Sequence, residues 1–243
     1  MWAARAPQSS FTMEEKSELK SRLIVMLTNN DRTVENAIEV FDSCSDVAVE
    51  NWGFKDVGIT QQQMKVLVRK MKDAGKITYL EVVSYSEQAC RAAAELAVEC
   101  EFDWLMGTIL YPAVFEFLKE KTIKYSPFCG KISGSPSIME GTIAEIVEDG
   151  VGLARMGVDG VDLLAYRYVD GSPEELTREF LREVRIPVVM AGSINSFERI
   201  DIVNNLNPWA FTMGSALFEH RFDEDGSFRE NLERVVGYMN SGE

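Results

Sequence analysis

The feature that most limits the fold is a regular alternation of apolar, β-rich runs with longer segments of helical periodicity. Eight such runs begin about 27 residues apart, near Leu23, Asp46, Ile77, Asp103, Ile123, Gly160, Ile186 and Trp209. That interval is the length of one βα unit. Runs such as TYLEVV, VDLLAY and PVVMAG are apolar at both alternations, as in strands that are buried on both faces. The pattern therefore predicts a parallel sheet covered by helices.

Eight units of this size, with right-handed crossovers, close most economically into an α/β fold of the (β/α)₈ TIM-barrel type. An open, doubly wound sheet is the alternative. No linker or composition change divides the chain, so we predict one barrel domain over residues 12–243. An extra helix that begins at Thr12 should precede the first strand, and residues 1–11 are interpreted as a disordered tail or an expression remnant.

Composition restricts the function. The formal net charge of −14 argues against nucleic acid and anionic membranes as partners. His220 is the only histidine, which leaves little room for a His-rich metal centre or a histidine-dependent triad. We therefore expect no metal and no cofactor. Four scattered cysteines and the lack of a signal-like or membrane-spanning apolar run indicate a cytoplasmic protein. A homo-oligomer is allowed but has no distinct sequence signal.

Two loops with small residues follow the seventh and eighth strands. The segment VVMAGSIN contains Gly192 and Ser193, and AFTMGSALFE contains Gly214 and Ser215. Glycine lets backbone N–H groups approach an anion closely, and a short helix from Ser215 would point its N-terminus at that anion. These loops could hold a phosphate group. Alternatively, small residues merely let each strand turn into its helix.

At Ala191–Ile194 and Thr212–Phe218 the chain resembles the phosphate-binding TIM-barrel superfamily. This group includes the phosphoribosyl isomerase of histidine synthesis, indole-glycerol-phosphate synthase, the tryptophan synthase α chain and the glycerol uptake antiterminator barrel. The resemblance implies that Gly192, Ser193, Gly214 and Ser215 bind a phosphate. The strand-end aspartates of the histidine-pathway isomerases and the D-x-K-x-x-D pattern of sugar-phosphate decarboxylases are absent, so no single family follows.

Other predicted strand ends supply candidate reacting groups. Glu50 and Glu81 interrupt apolar runs, where an unpaired carboxylate is costly to bury, so either could be a general base. Lys131, in a Gly/Ser-rich loop after the fifth strand, could be its partner or a Schiff-base nucleophile. Structural ion pairs and surface exposure are the alternatives. Asn29 and Arg167, after the first and sixth strands, are candidate substrate-binding residues.

The main functional hypothesis is an enzyme that acts on a small phosphorylated metabolite, either a sugar phosphate or a keto acid phosphate. The reaction would be isomerisation, aldol cleavage or decarboxylation, which places it among the lyases or isomerases of carbohydrate metabolism. A non-enzymatic, phosphometabolite-sensing barrel is the second hypothesis. An FMN phosphate site is a third, because FMN barrels use the same two loops.

Overall fold

A computed structural model describes residues 21–241 of the chain. Eight parallel strands in this range form a barrel and alternate with helices. The barrel strands are β1 (Arg22–Met26), β2 (Asn51–Lys55), β3 (Ile77–Val82), β4 (Trp104–Gly107), β5 (Lys124–Ser126), β6 (Val161–Leu163), β7 (Val188–Met190) and β8 (Ala210–Met213).

Helices follow the strands on the outside of the barrel. The described helices are α1 (Ala37–Cys44), α2 (Gln61–Asp73), α3 (Glu87–Glu99), α4 (Pro112–Lys119), α5 (Ile143–Met156), α6 (Pro173–Glu183), α7 (Phe197–Leu206), α8 (Ser215–Phe218) and α9 (Phe228–Ser241). None of the helices within residues 21–241 combines the length and the apolar character that crossing a membrane requires.

The strands are neighbours in the order β6, β7, β8, β1, β2, β3, β4 and β5. The two ends of this series meet through a parallel bridge between Phe128 and Asp162, where the Asp162 N–H donates to the Pro127 carbonyl at 2.9 Å. The prediction of a (β/α)₈ barrel is confirmed, and the open-sheet alternative is wrong. The predicted helix at Thr12 and the predicted tail over residues 1–11 lie outside the described residues. At the other end, α9 is an additional helix beyond the eighth strand.

Each barrel strand has one face towards the surrounding helices and one face towards the barrel interior. The outward faces pack against the helices in one large core that includes Trp52 and Phe54. Inward-facing side chains form a second, smaller core inside the barrel. Its buried members are Ile24, Met26, Tyr79, Trp104, Met106, Val189 and Ala210. Apolar side chains therefore fill the barrel interior, and polar groups lie beyond them, near the carboxyl ends of the strands.

The second strand begins later than its sequence pattern indicates. The prediction placed it near Asp46 with Glu50 at its end, whereas β2 runs from Asn51 to Lys55. Glu50 is exposed and directly precedes the strand, at the opposite end of the barrel from the strand termini that form the mouth. The cause is that Asn51, Gly53 and Lys55 face inward and break the apolar run.

Side-chain and backbone caps mark the ends of several helices. The Thr60 side chain accepts the Gln63 N–H and the Gln63 side chain accepts the Thr60 N–H, so α2 begins with a capping box. Ser172 caps α6 with Pro173 at its first turn. Gly157 ends α5 in the left-handed region, at φ 91°. These caps fix where each helix leaves the barrel.

Substitution by alanine is expected to change the stability of the protein in opposite directions at two glycines of α5. A Cβ at Gly150 would lie 2.4 Å from Cζ of the buried Phe180, whereas a Cβ at Gly152 meets no atom within 4 Å in the described chain. Overpacking at Gly150→Ala should lower the free energy of unfolding by about 1–3 kcal/mol. Gly152→Ala should raise it by about 0.5–1 kcal/mol, because alanine favours the helix. Denaturant unfolding of both variants measures the difference, and equal effects would contradict the packing described for α5.

Candidate functional site

A cavity of about 170 Å³ opens at the carboxyl ends of the barrel strands. Its floor and walls combine charged side chains with small-residue loops. The lining includes Thr28, Asp31, Lys55, Glu81, Ser137, Arg167, residues 191–195 and residues 212–216. In α/β barrels this end carries the chemistry, because the loops after all eight strands converge on it.

Lys55 is the central charge of the cavity. Trp52 and Phe54 face the helices, so strand alternation directs Lys55 into the barrel. Its Nζ lies 2.8 Å from Asp31 Oδ1 and 3.3 Å from Glu81 Oε1. The side chains of Lys55 and Glu81 are only 10% and 12% exposed. This ion pair is therefore buried, where the loss of either partner leaves an uncompensated charge.

Asp31 links this pair to a second cation. An Arg167 guanidinium nitrogen lies 3.4 Å from Asp31 Oδ1, and another donates to the Ser137 carbonyl at 3.5 Å. Both contacts are long for charge-assisted hydrogen bonds. Arg167 is thus held at the edge of the cavity by weak contacts that an incoming anionic group can replace.

The charges determine the protonation state of Lys55. Burial by itself would lower the pKa of the Lys55 amine, but the carboxylates of Glu81 and Asp31 more than offset this, and its pKa is raised. Burial would likewise raise the pKa of Asp31, yet Lys55 and Arg167 bring it below its usual value. At neutral pH Lys55 is an ammonium and Asp31 a carboxylate. A protonated lysine can stabilise negative charge but cannot act as a nucleophile.

The loops after β7 and β8 lie beside these charges. Gly192 has φ +127°, and a Cβ there would be 2.8 Å from Cβ of Tyr166. At Gly214 a Cβ would lie 2.7 Å from the Thr28 carbonyl oxygen. Neither position has room for a side chain, so backbone atoms form this wall of the cavity. Ser215 begins α8, and its Oγ accepts the Asn30 N–H at 3.3 Å.

A hairpin formed by Lys131–Ser133 and Ile138–Glu140, here called the lid hairpin, follows β5. Tyr85 Oη lies 2.8 Å from Ser137 Oγ and donates to the Gly134 carbonyl at 3.1 Å. Since Ser137 also lines the cavity, this hairpin covers part of the mouth.

The structure brings some of the predicted site residues together and separates others. Glu81 and Arg167 line the same cavity as the two small-residue loops. Lys131 does not: its side chain is 73% exposed, and its Nζ lies 3.5 Å from Glu140 Oε2 on the lid hairpin. The predicted pairing of Glu81 with Lys131 is therefore wrong in this structure, where Glu81 pairs with Lys55. Asn29 is half-buried and follows the lining residue Thr28 in the chain, but it does not itself line the cavity.

Three charged lining residues, Asp31, Lys55 and Glu219, were not identified from the sequence. For Lys55 the reason is that its strand was predicted to begin too early, although the alternation of Trp52 and Phe54 with Asn51 and Gly53 is visible in the sequence. His220 lies outside the cavity lining, and its Nδ1 hydrogen-bonds to the Gly226 carbonyl, as expected of a packing residue. Within residues 21–241 no three His, Cys, Asp or Glu side chains form a metal-binding group.

No protein-family model matches the chain, and no curated protein matches it in sequence. Solved structures do match. An orotidine 5′-phosphate decarboxylase from Pyrococcus horikoshii superposes with a TM-score of 0.67 at 13% identity, over 89% of this chain and 98% of that one. An N-acetylmannosamine-6-phosphate 2-epimerase from Clostridium perfringens has a TM-score of 0.60 at 11% identity, over 96% and 99% of the two chains.

A glycerol uptake operon antiterminator regulatory protein from Listeria monocytogenes also matches, with a TM-score of 0.54 at 17% identity. It is covered over 91% of its length by 80% of this chain. Identities this low show that these proteins share the barrel fold. The chemistry of this chain has to be argued from its own site.

Proposed function

We propose that this chain is an enzyme of the phosphate-binding TIM-barrel superfamily that removes a proton next to the carbonyl group of a small phosphorylated metabolite. The observation that carries the proposal is the buried pair of Lys55 and Glu81, which lies in the same cavity as the Gly192 and Gly214 loops. A carboxylate base, a fixed cation and an anion-binding wall are the three parts that enolate chemistry needs.

Each group has a separate task. The Glu81 carboxylate accepts the proton from the carbon beside the carbonyl, and the electron pair of the broken C–H bond moves onto the carbonyl oxygen. The Lys55 ammonium stabilises the resulting enolate oxygen. Its ion-pair partners within residues 21–241 are two carboxylates, so one of its three N–H donors is available for the substrate. Returning the proton to the other face of the same carbon completes an epimerisation. Returning it to the former carbonyl carbon, while the proton of the neighbouring hydroxyl group moves onto the former carbonyl oxygen, completes an aldose–ketose isomerisation.

The phosphate group of the substrate would lie against the loops after β7 and β8. The backbone forms this wall at Gly192 and Gly214, and α8 begins beside it, so the N–H groups of the first turn of α8 are expected to face a bound phosphate. Glu219 also lines the cavity, but its carboxylate is 3.1 Å from Arg221 and thus partly neutralised. Arg167, held only by long contacts, would take a second anionic or hydroxyl group of the substrate.

The charge state of Lys55 favours one of the three reactions considered from the sequence. Aldol cleavage through a Schiff base requires a neutral amine, whereas Glu81 and Asp31 keep Lys55 protonated. Decarboxylation would bring a substrate carboxylate next to these same two carboxylates. Isomerisation places only developing negative charge near Lys55. The small cavity volume favours a short sugar phosphate.

The experiment that tests the proposal is hydrogen exchange in deuterium oxide. Short phosphorylated aldoses and ketoses are incubated with the protein, and proton NMR follows the loss of the signal from the carbon next to the carbonyl. This readout detects proton abstraction even when the product is unknown. Binding without exchange for every compound would favour the sensing role that the similarity to the antiterminator protein allows.

Ser215→Asp tests separately whether a phosphate group binds against the backbone wall formed by the loops after β7 and β8. A carboxylate at the start of α8 should repel a bound phosphate, so we expect inorganic phosphate to raise the melting temperature of the parent protein but not of this variant. Ser215→Ala is the matched control and should keep the response. This position is preferable to Gly214, where a side chain would collide with the Thr28 carbonyl and confuse binding with folding. Protection of Ser215→Asp equal to that of the parent protein would exclude phosphate from this wall.

A further inference from the structure

Asp162 is a buried carboxyl group for which the proposed reaction has no task. It lies on β6, where Val161 and Leu163 pack in the outer core, so strand alternation directs Asp162 into the barrel. The residue is wholly buried. Neither of its carboxyl oxygens has a hydrogen-bond partner of normal geometry among residues 21–241. An ionised carboxylate in such a place carries a large desolvation penalty.

The groups around Asp162 do not compensate for a negative charge. Burial and the Glu81 carboxylate raise its pKa well above the usual value, and the opposing influences of Lys55 and of the Gly107 backbone N–H are each smaller than either. The buried thiol of Cys129, after β5, is the third titratable neighbour, and burial raises its pKa well above normal as well. On β7 the partner of Asp162 is the uncharged Val189.

The ion pairs of the neighbouring carboxylates lead to the same result. Asp31 is ion-paired with both Lys55 and Arg167, and Glu81 with Lys55, whereas no ion pair is formed by Asp162 among the described residues. Asp56, which follows Lys55, is a further carboxyl group near this pair, and burial raises its pKa. An ionised Asp162 would therefore add a negative charge that no cation neutralises.

We propose that Asp162 carries a proton in the resting site, so that a neutral carboxyl group lies inside the barrel near the ion pair of Glu81 and Lys55. If Asp162 lost this proton to solvent, an unpaired negative charge would lie inside the barrel and would disfavour the enolate that forms beside Lys55. Asp162 thus acts on the reaction through the local charge and does not touch the substrate. This catalytic consequence rests on the proposed function, but the location of the proton does not.

Infrared spectroscopy tests the proton directly. The spectrum of the parent protein at neutral pH should contain the C=O stretching band of a protonated carboxyl group, and the Asp162→Asn variant should lack it. Asp73→Asn, at an exposed position at the end of α2, is the control and should keep the band. In Glu81→Gln the band should disappear at a lower pH than in the parent, because one opposing charge is gone. A spectrum without a band sensitive to Asp162→Asn overturns the proposal, and so does an unchanged titration in Glu81→Gln.

The pH dependence of folding gives a second readout. Unfolded Asp162 ionises near pH 3.9, whereas the folded form keeps its proton, so the native state binds more protons above that pH. The unfolding equilibrium constant of the parent protein, relative to that of Asp162→Asn, should therefore rise by up to about tenfold per pH unit between about pH 5 and pH 8. A constant ratio over this range contradicts a neutral Asp162.

The two proposals can fail independently. If Asp162 is protonated but no substrate hydrogen exchanges, the inference about Asp162 stands and the proposed enzymatic function is wrong. If exchange depends on Glu81 but Asp162 is ionised, the enzymatic function stands and the inference about Asp162 is wrong. If both hold, kcat/KM should fall, by up to about tenfold per pH unit, above the pH at which the infrared band disappears, because an ionised Asp162 opposes the negative charge of the enolate. Asp162→Asn should lack this alkaline decrease, which a purely structural role would leave in place.

Discussion

Glu81→Gln is expected to lower the rate of substrate hydrogen exchange by about 10²–10⁴-fold, the usual contribution of a general base. Glutamine keeps the size and the polar character of the side chain but cannot accept a proton. Lys55 keeps Asp31 as an ion-pair partner at 2.8 Å, so the variant should remain folded. Proton NMR in deuterium oxide measures the exchange rate, and circular dichroism checks the fold.

Glu99→Gln is the matched control for this prediction. Glu99 forms an ion pair with Lys65 at 2.8 Å, compared with 3.3 Å between Glu81 and Lys55, but on the exposed surface and away from the cavity. The same change in chemistry there should leave exchange within about threefold of the parent, as expected for a surface substitution. Exchange in Glu81→Gln at the parental rate would show that another group is the base.

Lysine variants distinguish the sequence-level arrangement from the one in the structure. Lys55→Met should abolish the stabilisation of the enolate, whereas Lys131→Met should affect only an exposed contact with Glu140 on the lid hairpin. A loss at Lys131 as large as that at Lys55 would mean that the hairpin carries Lys131 into the cavity during turnover.

The fold was predictable because its main signal repeats. Eight apolar runs at a nearly constant interval define eight βα units even though one of them was misplaced. The run before β2 shows the limit of this signal. Its apolar residues Val47 and Val49 belong to the connection after α1, while the strand itself contains the inward-facing Asn51, Gly53 and Lys55. A strand that supplies polar groups to a site no longer has the pattern of a buried strand.

The site was only partly predictable, for a similar reason. Glu81 could be identified because a carboxylate in an apolar run needs a partner, and the same argument applies to Asp162 in VDLLAY. The partner itself could not be identified, since it is 26 positions away on the neighbouring strand and is set by register, with Lys55 opposite Glu81. The lid hairpin after β5 likewise depends on contacts between distant segments, such as that between Tyr85 and Ser137.

The largest effect on stability is expected for Lys55→Met, which should lower the free energy of unfolding by about 3–5 kcal/mol, because the nearly buried Glu81 carboxylate loses its ion-pair partner. Asp31 is 41% exposed and keeps Arg167, so it should contribute little of this loss. The pKa of Lys55 is raised in the folded protein. Its stabilising effect is therefore complete below its unfolded pKa of about 10.4 and is lost only as the pH rises through the higher folded value. Denaturant unfolding near neutral pH measures the full effect.

A double variant shows whether Lys55→Met lowers stability through the lost ion pair or through a general loss of packing. In Lys55→Met combined with Glu81→Met no charge remains unpaired between the two strands, so much of the stability should return. The exposed Lys65 and Glu99 pair provides the comparison, and Lys65→Met should leave the free energy of unfolding nearly unchanged, because solvent screens an exposed ion pair. If Lys55→Met and Lys65→Met were equally mild, water would have to reach the Lys55 pair freely. Glu81 would then be an ordinary solvated carboxylate, and its assignment as a buried base would have to be abandoned.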